Sequence, residues 1–89
     1  MLRITRAELG PVTTIFLEGK ILGPWVSEIS AVIATIPKGH ARRIDLAGVT
    51  FVDPPGAELV EALRRDGVEI ASCPQFIAGL LERYARNRR

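Results

Sequence analysis

The chain has 89 residues, 47% of them hydrophobic and 25% charged, with a formal net charge of +2. That balance belongs to a folded globular domain and excludes a disordered segment, and the length leaves room for one domain, residues 1–89. No apolar run approaches the roughly 20 residues that span a bilayer, and Met1-Leu2-Arg3-Ile4-Thr5-Arg6 lacks the apolar stretch of a secretory signal, so the expected location is cytoplasmic, without membrane insertion.

In chain order, Leu2 and Ile4 alternate with Arg3 and Thr5, and Val12 to Leu17 is β-branched and aromatic. These segments read as two strands of a hairpin, joined by a turn at Gly10-Pro11. Glu18-Gly19-Lys20-Ile21-Leu22-Gly23 breaks the pattern. Pro24 then opens a helix whose apolar positions Trp25, Ile29, Val32, Ile33 and Ile36 keep helical spacing, and Pro37 and Gly39 stop it. The opposite face, Ser27, Ser30, Ala31, Ala34 and Thr35, is small and nearly uncharged apart from Glu28.

Arg43-Ile44-Asp45-Leu46 reads as a short strand, Ala47-Gly48 as a break, and Val49-Thr50-Phe51-Val52 as the run that carries the chain into Asp53-Pro54-Pro55-Gly56. The helix that follows has Gly56, Leu59, Val60 and Leu63 on its buried stripe, with Glu58, Glu61, Arg64 and Arg65 toward water and Gly67 as its C-terminal stop. Val68-Glu69-Ile70-Ala71 alternates as a strand. Cys73, the single cysteine, excludes an internal disulfide and reads as a small packing residue. Pro74 starts a last helix with Ile77, Leu80, Leu81 and Tyr84 on one side, and 83–89 is a basic tail expected to fray. No base-stacking aromatics accompany its arginines, so a nucleic-acid partner is not expected.

The order strand, strand, helix, strand, helix, strand, helix predicts an α/β fold: a small mixed sheet of about four strands, an N-terminal hairpin followed by parallel pairs, covered by about three helices through right-handed crossovers. The double proline is its most informative point. A proline has no N–H, and the residue before one is pushed out of the helical region, so Asp53 and Pro54 are expected to be extended and Pro55 to begin the helix. With two donors missing and Asp53 adding negative charge, the corner is a poor anion site. As a preorganised surface it loses little entropy on docking. Two readings stay open, a binding surface and a plain strand-to-helix junction.

Enzymatic chemistry is not expected. The chain has one histidine, His40, one cysteine, no phosphate-binding glycine loop and no cofactor motif. Asp45 and Asp53 are the one pair of carboxylates that could cooperate, and both have ordinary structural explanations.

From Thr13 to about Tyr84 the sequence resembles the STAS domains, the family of sulfate transporters and anti-sigma factor antagonists. The resemblance lies in Thr14-Ile15-Phe16-Leu17-Glu18-Gly19, in the helix from Pro24, and above all in Ile44 to Gly56, where an aspartate-containing strand is followed by Asp, two small residues and Gly. It implies a bacterial, cytoplasmic regulatory module that binds a protein partner, an anti-sigma factor kinase, at this corner. In such antagonists the residue before the glycine is a phosphorylated serine or threonine; here it is Pro55, a degenerate phosphoacceptor position, and Pro54 also lacks a hydroxyl. Many members also continue past the equivalent of Tyr84. The expected partner surface is Asp53, Pro54, Pro55, Gly56 and Ala57, with Trp25, the single tryptophan, either a core residue or an interface anchor. The leading expectation is a non-enzymatic interaction module that this site cannot switch by phosphorylation. The alternative is a soluble subunit of an anion or lipid transport system, partnered by an ATPase or permease. Self-association as a homodimer is a further reading.

Overall fold

In a computed structural model that describes residues 2–86, the chain forms β1 (Leu2–Leu9), β2 (Val12–Ile21), a 3₁₀ turn (Gly23–Trp25), α1 (Val26–Ala34), β3 (Ala41–Val52), α2 (Pro54–Arg65), β4 (Glu69–Ala71) and α3 (Gln75–Arg86). The four strands make one sheet in the order β1-β2-β3-β4. β1 and β2 pair antiparallel, and the β2–β3 and β3–β4 pairs are parallel. The α/β class, the hairpin and the parallel pairs are therefore as the sequence predicts.

The hairpin closes at Gly10-Pro11 because Gly10 takes the left-handed conformation, φ +60°, that a side chain resists. From there alternation divides the sheet. Ile15, Leu17 and Ile21 of β2 and Ile44 and Leu46 of β3 are buried against Ile29 and Ile33 of α1, Val60 and Leu63 of α2, and Ile77 and Leu81 of α3. Each such side chain contributes about 1.5–3 kcal/mol on burial. The opposite side of β2 is open, with Phe16 37% exposed and Glu18 exposed.

Three sequence expectations are corrected. β2 does not break at Glu18 but runs on to Ile21. β3 is one strand of 12 residues rather than two short ones. Between the pairs Phe16↔Asp45 and Glu18↔Gly48, β3 spends one residue more than β2, and it does so again between Gly19↔Val49 and Lys20↔Phe51. These are bulges, which keep a strand continuous while resetting its alternation, and the first is held by Asp45, whose Oδ1 accepts from the Ala47 N–H at 2.9 Å. The helix expected from Pro24 begins as a 3₁₀ turn and becomes α-helical only at Val26, ending at Ala34, where the Thr35 hydroxyl donates to the Val32 carbonyl at 2.6 Å. α3 runs on through Arg83 to Arg86, the first residues of the basic tail; residues 87–89 lie outside the described residues.

α2 ends as the sequence predicts. Gly67, at φ +94°, lets its own N–H reach the Arg64 carbonyl (3.1 Å) and the Val68 N–H reach the Leu63 carbonyl (2.9 Å), a paired C-terminal cap. The chain then turns into α3 through Ser72, which adopts a left-handed φ of +55° without being glycine. Among the described residues no helix is long and apolar enough to cross a membrane.

Candidate functional site

β3 delivers the chain to Asp53 at the end of the sheet, and α2 leaves from it. Asp53 is extended (φ −93°, ψ 175°) and is the N-cap; Pro54 is the first helical residue and Pro55 the second. The expectation that Pro54 is extended and Pro55 opens the helix is corrected by one residue. A proline's fixed φ suits the first turn, and the cap on Asp53 outweighs the preference of a pre-proline residue for extended backbone.

The Asp53 carboxylate is the centre of the site. Its Oδ1 accepts from the Gly56 N–H at 2.8 Å, which caps α2. Its Oδ2 accepts from the Gly23 N–H at 2.9 Å, across a separation of 30 residues. Gly23 is the first residue of the 3₁₀ turn, and the residue ahead of it, Leu22, offers no side-chain cap. One carboxylate therefore caps two helix starts. The main chain adds to this: the Asp53 N–H donates to the Ile21 carbonyl at 3.2 Å and the Ala57 N–H to the Asp53 carbonyl at 2.8 Å.

These bonds decide what the corner can bind. The N–H groups that a helix start normally leaves open are all absent or engaged: Pro54 and Pro55 have none, and those of Asp53 and Gly56 are bonded within the chain. No donor remains for a phosphate or carboxylate, which strengthens the sequence argument against anion binding.

Gly56 is buried, and a Cβ there would collide with the Ile21 carbonyl oxygen and come within 3.0 Å of the Ile21 Cγ2. The start of α2 thus rests directly on the end of β2, and the glycine has a packing reason independent of any modification beside it. Ala57 is buried as well. Pro54 and Pro55 are exposed, Asp53 is half-buried with both oxygens turned to backbone, and Trp25 is half-buried against the core. Of the residues expected at a partner surface, the two prolines face outward while Asp53, Gly56 and Ala57 hold them in place. The Tyr84 hydroxyl donates to the Val52 carbonyl at 3.2 Å and ties α3 to the residue just ahead of the corner.

The other candidate groups are not brought to this place. Asp45 lies eight residues back along β3, about 25 Å away at the rise of a strand, so the two aspartates cannot share a reacting atom. His40 Nδ1 is 3.1 Å from the hydroxyl of Thr13, which is fully buried, and the two satisfy one another. Cys73 is half-buried and packed against the core; burial pushes its thiol up, opposed by Arg64, so it lacks the lowered pKa of an activated nucleophile. Among the described residues no group of three or more His, Cys, Asp or Glu could hold a metal ion.

The sequence did not reveal the Gly23 bond. A signal existed: Leu22-Gly23-Pro24 starts a helical turn with no Ser, Thr, Asp or Asn ahead of it to cap it, which calls for a cap from elsewhere in the fold.

No protein-family model matches the sequence, and no curated protein matches it. Solved structures do match its fold. The STAS domain of an anti-sigma factor antagonist from Rhodobacter sphaeroides superposes with a TM-score of 0.62 over 85% of this chain and 95% of that one, at 15% identity. The anti-sigma factor antagonist SpoIIAA in its unphosphorylated form gives 0.55 over 74% and 62%, at 25% identity. The crystal structure of Mglu gives 0.66 over 82% of this chain, at 22% identity, and there the chain spans only 20% of the other protein's length. The fold is STAS-like.

Proposed function

We propose that this chain, built on the fold of a STAS domain, is a non-enzymatic protein interaction module that presents Pro54 and Pro55 to a protein partner and is not switched by phosphorylation at that corner. The observation that carries this reading is the double cap on Asp53. Two exposed prolines sit on a turn whose Gly23 and Gly56 N–H groups are both held by the Asp53 carboxylate, so the surface is stiff and docks with little loss of entropy. The likeness to anti-sigma factor antagonists supports a protein partner at large, and a partner of the anti-sigma factor kind is the specific form of the proposal. Gly56, which the packing requires, explains why that part of the motif persists without a hydroxyl neighbour. Binding at this corner is constitutive.

The test is a photo-crosslinking amino acid placed at Pro55, and separately at Thr5 on the open face of β1, in the native cell. A protein adduct at position 55 that is missing at position 5 supports the proposal, and mass spectrometry of the adduct separates an anti-sigma factor ATPase from a transport permease or ATPase. The same weak background at both positions would overturn it.

A further inference from the structure

The outer side of α3 carries an arrangement that the chain's own packing does not explain. Phe76 is 62% exposed, the most exposed aromatic among the described residues. One turn on, Gly79 is exposed in mid-helix, and a Cβ built there meets nothing within 4 Å. Neither a positive φ nor a close neighbour demands a glycine, yet glycine in a helix interior is less favourable than alanine by about 1 kcal/mol. Together with Gln75, Leu80, Glu82, Arg83 and Arg86 these residues line a shallow surface groove. Arg83 and Arg86 are exposed and make no ion pair among the described residues. Arg88 and Arg89 follow in the sequence, with Glu82 the one acid from Gln75 onward.

We propose that this face, Phe76-Gly79-Leu80 with Arg83 and Arg86 at one end, is a second docking surface that receives an acidic amphipathic helix of a partner protein. A missing side chain beside a protruding aromatic makes a notch, which lets a neighbouring backbone approach closely while Phe76 packs along its flank. The cations at the C-terminal end select an acidic occupant. A second copy of this chain packed parallel through this face would bring Arg83 and Arg86 against their own kind, and packed antiparallel would set them opposite Gln75 and Phe76, which offer no carboxylate. A lipid surface needs a broad apolar face, but Ile77 and Leu81 are committed to the core and Leu80 is half-buried, leaving Phe76 alone to insert. This surface is independent of the proline corner and stands or falls separately.

The probes are a fluorescently labelled synthetic helix of about four turns with a leucine stripe flanked by glutamates, the same peptide with lysines in place of the glutamates, and vesicles of anionic phosphatidylglycerol. The full chain is expected to bind the acidic peptide, with amide shifts concentrated at Phe76, Gly79 and Arg83 and not at Gly56. Gly79→Leu, which fills the notch, and Arg83→Glu are each expected to weaken it at least about tenfold. Gly79→Ala serves as the folding control, raising the thermal midpoint slightly. Equal binding of both peptides, binding only to vesicles, shifts confined to the corner, or no binding would each overturn the proposal.

Discussion

The two helix starts that meet at Asp53 share one carboxylate and differ in almost everything else. At α2 the cap is local: Asp53 is followed by two prolines and by a glycine that lies against the Ile21 backbone. At the 3₁₀ turn before α1 there is no local cap, and the single Gly23 N–H is satisfied by the carboxylate 30 residues ahead. Gly56 is glycine because no side chain fits. Gly23 has room, since a Cβ there would sit 3.5 Å from the Pro55 ring and 3.8 Å from the Asp53 Oδ2, ordinary contact distances, and its φ is not positive. The comparison teaches that Asp-x-x-Gly is first of all a device for joining a helix start to the end of the neighbouring strand. Whether a hydroxyl or a proline occupies the two places between is a separate matter, open to change without loss of the joint.

The contrast can be broken at several points. Gly56→Ala is the most damaging single change, because the added methyl meets backbone rather than a side chain that can swing away; a loss of about 3 kcal/mol is expected in urea unfolding. Asp53→Ala removes the cap of α2 and leaves the half-buried Gly23 N–H without its partner, for a combined loss of about 2 kcal/mol, or roughly 10 °C in the thermal midpoint of a chain this size. A loss of only a few tenths would mean that the second bond contributes nothing. Pro55→Ser restores a hydroxyl at an exposed position and frees the unfolded chain, so it should cost about 0.5–1 kcal/mol and leave the fold unchanged by circular dichroism. Gly23→Ala is expected to stay within about 0.5 kcal/mol of wild type. Equal costs at Gly23 and Gly56 would erase the distinction between the two starts.

Most of the architecture was legible in the sequence because it rests on local physics. Gly10-Pro11 marks the hairpin, the stripe Leu59, Val60 and Leu63 marks the buried side of α2, and Gly67 marks its end, each through a conformational or periodic rule that acts within a few residues. What escaped depends on neighbours distant in the chain. The continuity of β3 across Ala47-Gly48 follows from its pairing with β2, which absorbs two extra residues as bulges, and a strand that changes its alternation midway looks like two. The entry into α2 was missed by one residue because the rule for pre-proline residues was weighed without the cap. The corner from Asp53 to Gly56 was legible as a strand-to-helix junction, but its double cap was not: nothing near Asp53 in sequence shows that its second oxygen serves Gly23.

Amide hydrogen exchange followed by NMR in wild type and Asp53→Ala tests that double cap most directly. The account predicts that the Gly23 and Gly56 amides are both protected in wild type and both lose protection in the variant, while the Val68 amide at the far end of α2, bonded to the Leu63 carbonyl, keeps its own. A Gly23 amide that exchanges freely in wild type, or equally slowly in both proteins, would contradict it.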